Sequence, residues 1–195
     1  MKTNYLKEIK KQDHSLKFVI AKLLIRTNLC TLFHIKQNSY KLKFYPSALS
    51  RQLWINPNYS HTASRFFQDY LQKNDCVVDV GSSIGTVTLT SASIVGLNGK
   101  VYSIEPNPRI FEYLKGNIKL NNFNNIQTFN IALGNKDGTI CFSDQRSDDT
   151  NSVNDLDIGI KVQIKTLDSL SISDESISLL KIDAIGYEKF VLLGG

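Results

Sequence analysis

Cys76-Val77-Val78-Asp79-Val80-Gly81-Ser82-Ser83-Ile84-Gly85 reads as a strand, a turn and the start of a helix. The apolar run from Cys76 to Val80 suits a strand buried on both faces of a parallel sheet. Gly81 can take a turn conformation barred to side chains, and Gly85 lets the following helix approach the sheet, so a ligand can lie against the backbone at the helix start. The pattern departs from G-x-G-x-x-G because Ser83 occupies the second glycine's place. That substitution argues against close packing of a pyrophosphate, and hence against NAD.

Downstream, strand and helix patterns alternate. Ile84 to Val95 reads as a helix, Gly99 to Ile104 as a second strand, and Asn107 to Asn121 as a helix with Ile110, Leu114 and Ile118 on one side. Ile126 to Leu133 reads as a third strand. Thr139 to Ser143 and Lys161 to Thr166 have the alternation of an antiparallel addition around a polar, acidic loop, 144–159. Ile177 to Ile182 is another buried strand, and a helix begins near Gly186. This order predicts an α/β, doubly wound, mostly parallel sheet. Ligands of such sheets sit beyond the carboxyl ends of the strands, where strand order reverses. The second strand ends in Glu105, twenty residues after Gly85, where an acid accepts hydrogen bonds from ribose hydroxyls. Asp79, the glycines and Glu105 together read as a nucleoside site without a phosphate clamp.

Upstream, the text changes. Residues 1–65 carry 12 Lys/Arg against 2 Asp/Glu, whereas residues 66–195 carry 11 against 16. The charge break suggests a basic amino-terminal extension, 1–65, and a sheet domain, 66–195. Leu16 to Ile35 is apolar but broken by Lys17, Lys22, Arg26 and His34, so it reads as an amphipathic helix that packs on the domain, with an interfacial helix as the alternative. Met1 to Asp13 is too lysine-rich for a signal peptide. Lys36 to Ser64 reads as a connector with one strand, and Thr62 to Gln72 as a helix presenting Ala63, Phe66, Phe67, Tyr70 and Leu71 on one side.

Composition narrows the function classes. With 195 residues, 42% hydrophobic and 21% charged, the chain is no disordered or fibrous protein. Cys30, Cys76 and Cys141 lie 46 and 65 positions apart, too far for a Cys-x-x-Cys pair. His14, His34 and His61 lack helical zinc spacing. No metal ligands are assigned, although a divalent metal on carboxylates stays compatible. A reducing, cytoplasmic compartment is expected, with peripheral membrane contact through the basic segment as an option.

DVGSSIGTVTL, YSIEPNPRIFEYLKGNIKLNN, NIALGNKDGTICF, KTLDSL and LLKIDAIGYEKFVLLGG together resemble the successive blocks of FkbM-family methyltransferases, which use S-adenosylmethionine. The resemblance implies a Rossmann-like class I methyltransferase fold and O-methylation of a hydroxyl on a sugar, glycan or natural-product acceptor. It places Asp79, Gly81, Ser82, Ser83, Ile84 and Gly85 on the cofactor loop and makes Glu105 the ribose acid. Pro106 and Asn107 would flank the adenosine, with Asn130 and Ala132 near the adenine edge.

Methyl transfer from a sulfonium is an in-line displacement, so alignment supplies much of the acceleration, and an alcohol must also give up a proton. Asp183, at the end of the fourth strand, is the candidate catalytic residue, as base, metal ligand or hydroxyl orienter; capping the next helix or bonding cofactor are its alternatives. Lys181 shares its face and would pair with it. Two departures from the family are plain. Where the family reads Lys-Ile-Asp-Val-Glu-Gly, this chain has Lys181-Ile182-Asp183-Ala184-Ile185-Gly186, and it stops at Gly195, before the remaining strands of the class I sheet. An incomplete, truncated fold with an exposed fourth strand is therefore expected. A noncatalytic, methyltransferase-like interaction module is the alternative function. A nucleic-acid acceptor is disfavoured, because the acidic half lacks an aromatic platform for a flipped base.

Overall fold

The computed structural model describes residues 15–59, 61–142, 153–154, 159–172 and 176–195. Its centre is β3 (Cys76–Val80), buried at every position. It pairs in parallel with β4 (Lys100–Ile104), which pairs in parallel with β5 (Ile126–Phe129). On its other side β3 pairs in parallel with β10 (Ile177–Ile182). The order β10-β3-β4-β5 reverses direction of growth at β3, which creates the crevice where doubly wound sheets bind ligands.

Register fixes what stands at that crevice. Ile182, Val80, Ile104 and Phe129 are partners in one row across the sheet. The residues that follow them, Asp183, Gly81, Glu105 and Asn130, therefore line up along one carboxyl edge. Side chains alternate between faces. Val77 and Val101 join Phe67, Ala92 and Val95 on one side, while Val78, Val80, Tyr102 and Ile104 join Leu167, Leu170 and Val191 on the other.

The flanking helices are α4 (Thr86–Val95) and α5 (Pro108–Asn121), the latter capped by Asn107, whose side chain accepts hydrogen bonds from the amides of Arg109 and Ile110 at 3.0 and 3.3 Å. After β5 the expected third strand divides. Asn130 leaves the ladder and its amide donates to the carbonyls of Glu105 and Pro106, at 2.8 and 3.1 Å. β6 (Ala132–Leu133) then pairs with β9 (Ile160–Lys165) in a second sheet. That sheet also holds β7 (Gly138–Phe142), antiparallel to β9, and β8 (Val153–Asn154). β8 falls inside the stretch expected to be a loop; apart from β8 and Gly159, that loop, like Met1 to Asp13, lies outside the described residues.

Residues 15–55 hold more structure than their sequence announces. α1 (Ser15–Arg26) is shorter than the expected helix: Asn28 takes a left-handed conformation at φ 59°, a 3-10 turn covers Leu29–Leu32, and β1 (His34–Lys36) follows. The expected connector contains β2 (Lys41–Lys43), antiparallel to β1, and α2 (Ala48–Ile55). Ser47 caps α2, its hydroxyl accepting from the Ser50 amide at 3.0 Å, which supplies an orphan donor at the helix start with a partner. These pieces share a core with the sheet domain: Phe18, Cys30, Leu42, Phe44 and Leu53 pack with Ile84, Leu89 and Ile110. Side chains close the joint. Asn121 exchanges 2.7 Å bonds with the Lys41 backbone, and Asn117 accepts from the Lys43 amide at 2.8 Å while donating to the Ile84 carbonyl at 2.8 Å.

Two further expectations change. α3 (His61–Tyr70) buries Phe67, with Leu71 just after it, but leaves Phe66 and Tyr70 exposed, stacked on each other at 5.6 Å. The side chain of Ala63 lies outside the described residues. β10 is half-buried rather than buried, because it stands at the edge of the four-stranded sheet and has a strand on one side only among the described residues. α6 (Glu188–Leu192) follows it.

Candidate functional site

The turn after β3 is built so that backbone approaches backbone. Gly81 has φ 74°, and a Cβ there would lie 2.0 Å from the Asp183 carbonyl oxygen. Its amide and that of Ser82 both donate to the Ile104 carbonyl, at 2.9 and 3.0 Å. Gly81 thus lets the chain pass between the ends of β10 and β4. Gly85, at φ 94°, leads into α4, and a Cβ there would meet the Leu114 side chain at 2.7 Å, so this glycine serves close helix packing.

Beneath the turn lies a buried polar network. Asp79 is fully buried; one carboxylate oxygen accepts from the Thr88 hydroxyl at 2.6 Å and the other is 3.1 Å from the Lys181 ammonium. The Thr88 and Ser103 hydroxyls are 2.9 Å apart, those of Ser103 and Ser82 2.8 Å, and Ser82 donates to the Asp79 carbonyl at 2.7 Å. Lys181 also donates to the carbonyls of Gly81 and Val80, at 2.9 and 3.2 Å. The expected pairing of Lys181 with Asp183 is the weaker one, at 3.9 Å, since Asp183 is largely exposed and its charge is met by water. Lys181 is better described as the counter-ion of Asp79 and a clamp on the glycine turn.

Above the turn is a cavity of about 310 Å³. Of the residues singled out in the sequence, Gly81, Ser83, Glu105, Pro106, Asn107, Ala132 and Asp183 line it. Asp79, Ser82, Ile84, Gly85 and Asn130 stand behind the wall, where the bonds just described position those that do line it. Glu105 is the focus. Its carboxylate accepts from the Ser83 and Asn107 amides, both at 2.9 Å, one on each oxygen. Ser83 reaches it by adopting a left-handed φ of 50°. Each carboxylate oxygen keeps lone-pair capacity for a further donor. Burial raises the Glu105 carboxyl to about 7, against the opposing pull of the two amides and of Lys181.

The rest of the wall is mostly apolar: Leu49, Ile131, Leu133, Phe142 and Tyr187, not among the expected site residues, and Ile185, which the sequence marked only as a departure. Leu49 comes from α2, an element whose only sequence signal was a Ser47 cap before spaced apolar residues. Ile185 is 49% exposed at φ 22°, an uncommon conformation for a β-branched side chain. Asp183 does not cap α6, whose N-cap Tyr187 makes no side-chain capping bond. Among the described residues no group of three or more His, Cys, Asp or Glu is arranged to hold a metal ion.

A parallel sheet with reversed order at its first strand, a glycine turn and an acid at the second strand end define a Rossmann-like class I methyltransferase fold. The family model described as the methyltransferase FkbM domain matches residues 79–195, and the chain belongs to that family. A protein-L-isoaspartate O-methyltransferase of Caenorhabditis elegans is 27% identical over 101 residues, 51% of this chain and 45% of that protein. This chain therefore aligns with less than half of that relative's length. Among solved structures, M. jannaschii TYW2 in complex with AdoMet is 26% identical, covering 49% of this chain and 41% of its own, with a TM-score of 0.39. A SAM-dependent methyltransferase from Aquifex aeolicus is 23% identical, covering 48% and 50%, with a TM-score of 0.38.

Proposed function

We propose that this chain binds S-adenosylmethionine in the cavity above the glycine turn and methylates a hydroxyl of a sugar, glycan or natural-product acceptor. The observation that carries the reading is that Gly81 and Glu105 face one cavity, with the Glu105 carboxylate buried in its wall and half satisfied by backbone amides. A ribose diol offers two donors, matching the capacity left on the two carboxylate oxygens. The apolar wall of Pro106, Ile131 and Leu133 suits the faces of an adenine ring, and the cavity volume is of the order such a ligand needs. The residues present therefore fit the cofactor.

When bound, S-adenosylmethionine supplies a methyl group on a positively charged sulfur. The remaining work falls to the chain. Glu105 fixes the nucleoside, Asn107 and Ser83 fix Glu105, and the Asp79–Lys181 pair holds the turn against the strand ends. Asp183, at the same edge, orients an acceptor hydroxyl or takes its proton; with most of its side chain in water it can reach a ligand entering from outside. Membership of the FkbM family and the partial match to an O-methyltransferase support hydroxyl or carboxyl chemistry over carbon methylation.

The test is transfer of an isotopically labelled methyl group, read by mass spectrometry, to a panel of saccharides and phenols, with peptides and RNA oligonucleotides as competing classes. Modification confined to the hydroxylated small molecules, and lost in Asp183→Asn with cofactor affinity retained, is the expected result. Modification of RNA or peptide alone would overturn the acceptor class. A binding-only module is the second reading, favoured by Ile185 where the family carries an acid. Cofactor binding without transfer to any acceptor class supports it.

A further inference from the structure

We infer that the outward face of α1 seats this protein on an anionic lipid surface, an assignment independent of the cofactor reading. Leu16, Val19, Ile20 and Leu23 recur at the spacing of one helical face, and they are 75%, 40%, 39% and 60% exposed. The opposite face is already used, since Phe18 and Ala21 are buried in the core shared with the sheet domain. A helix with one apolar face in the core and a second, aliphatic, face in water has surface that folding does not explain. The turn that follows adds Leu32, 72% exposed, and Phe33, 43% exposed.

Charge selects the occupant. From Ser15 to Arg65 the chain has eight Lys/Arg and no Asp or Glu. On the helical projection Lys17 falls on one flank of the stripe and Arg26 on the other, so cations border the apolar strip on both sides, while the Lys22 ammonium lies over the Phe18 ring at 4.4 Å. Long basic side chains so placed can keep their heads among phosphates while their stems and the leucines enter the acyl boundary. A second copy of the chain brings the same acid-free stretch and so meets like charge. A nucleic acid would satisfy the cations but leave four aliphatic side chains in water. No helix among the described residues is long and apolar enough to cross a membrane, so the mode is lying on the surface rather than spanning it.

Co-sedimentation of the full chain with vesicles of phosphatidylcholine and phosphatidylserine at 3:1, against pure phosphatidylcholine, tests this. Binding is expected on the anionic vesicles and about tenfold weaker on neutral ones, falling with added salt. L16E/L23E should lower anionic-vesicle binding about 100-fold, and K17E/R26E, which keeps the stripe, about tenfold. All four positions are on the exposed side of α1, and unchanged thermal melting of both variants confirms that folding is intact. No binding to either vesicle, equal binding to both, or binding indifferent to L16E/L23E overturns the inference. So does a dimer in sedimentation that L16E/L23E converts to monomer, since the stripe would then be an interface between copies.

Discussion

The carboxyl ends of β3 and β4 and the carboxyl end of β10 stand side by side in one register, yet they are built differently. At Gly81 to Ser83 and Glu105 to Asn107, backbone groups are bonded across strands, the charged pair Asp79–Lys181 sits beneath, and the acid is buried. At Asp183 to Gly186 the acid is exposed, Ile185 sits at φ 22°, and a Cβ at Gly186 would meet nothing within 4 Å. The first region is preorganised and the second is open. A site that must hold one constant ligand gains from rigidity, because ordering cost is met during folding; a rim that admits varied acceptors needs room. On the reading proposed above, the rigid side would hold the cofactor and the open one would admit the acceptor.

The largest effect should come from breaking the rigid side's buried pair. Lys181→Met leaves the Asp79 carboxylate buried without its counter-ion, and a loss of about 3–5 kcal/mol in urea unfolding is expected. A loss below about 1 kcal/mol would mean that water, not Lys181, compensates Asp79. Next, Gly81→Ala forces a side chain into a positive φ and against the Asp183 carbonyl; about 2 kcal/mol or more should be lost, with cofactor affinity falling alongside. The same comparison predicts that Ile185→Gly, on the open side, is neutral or stabilising by about 1 kcal/mol, since it relieves an unfavourable φ at an exposed position. Equal destabilisation by the two substitutions would erase the distinction between the regions.

Much of the rigid side was legible in the chain text because its chemistry is local. A continuous apolar run, a glycine turn and an acid one strand later each follow from a few adjacent residues. Its support was not. Lys181 lies 102 positions from Asp79, and no local rule says that a lysine two residues before Asp183 turns toward the neighbouring strand. The strand expected over Ile126 to Leu133 ends at Phe129 although its apolar character continues, because Asn130 spends its side chain on the carbonyls of Glu105 and Pro106. In the amino-terminal extension, Pro46, Pro57 and scattered aromatics mask a hairpin and a helix. The hairpin is held by α5, which supplies Asn117 and Asn121 to the edge of β2, partners that no reading of residues 36–64 contains. Leu49 comes to the cavity wall on α2, packed against the core shared with the sheet domain.

Glu105 carries the central claim, and its titration supplies the direct test. Burial raises its carboxyl from the ordinary carboxylate range to about 7, so the folded chain holds a proton that the unfolded chain releases nearer 4.5. This group's contribution to stability is therefore greatest at low pH and declines as pH rises from about 4.5 through about 7. Cofactor binding should run the other way, because a diol donates to the ionised form. Calorimetric titration with S-adenosylhomocysteine at pH 6 and pH 8 reads the binding. The account predicts about tenfold tighter binding at pH 8 and, in Glu105→Gln, affinity at least about tenfold weaker at pH 8 with the pH dependence gone. Binding of wild type and Glu105→Gln that is equal at both pH values would contradict it.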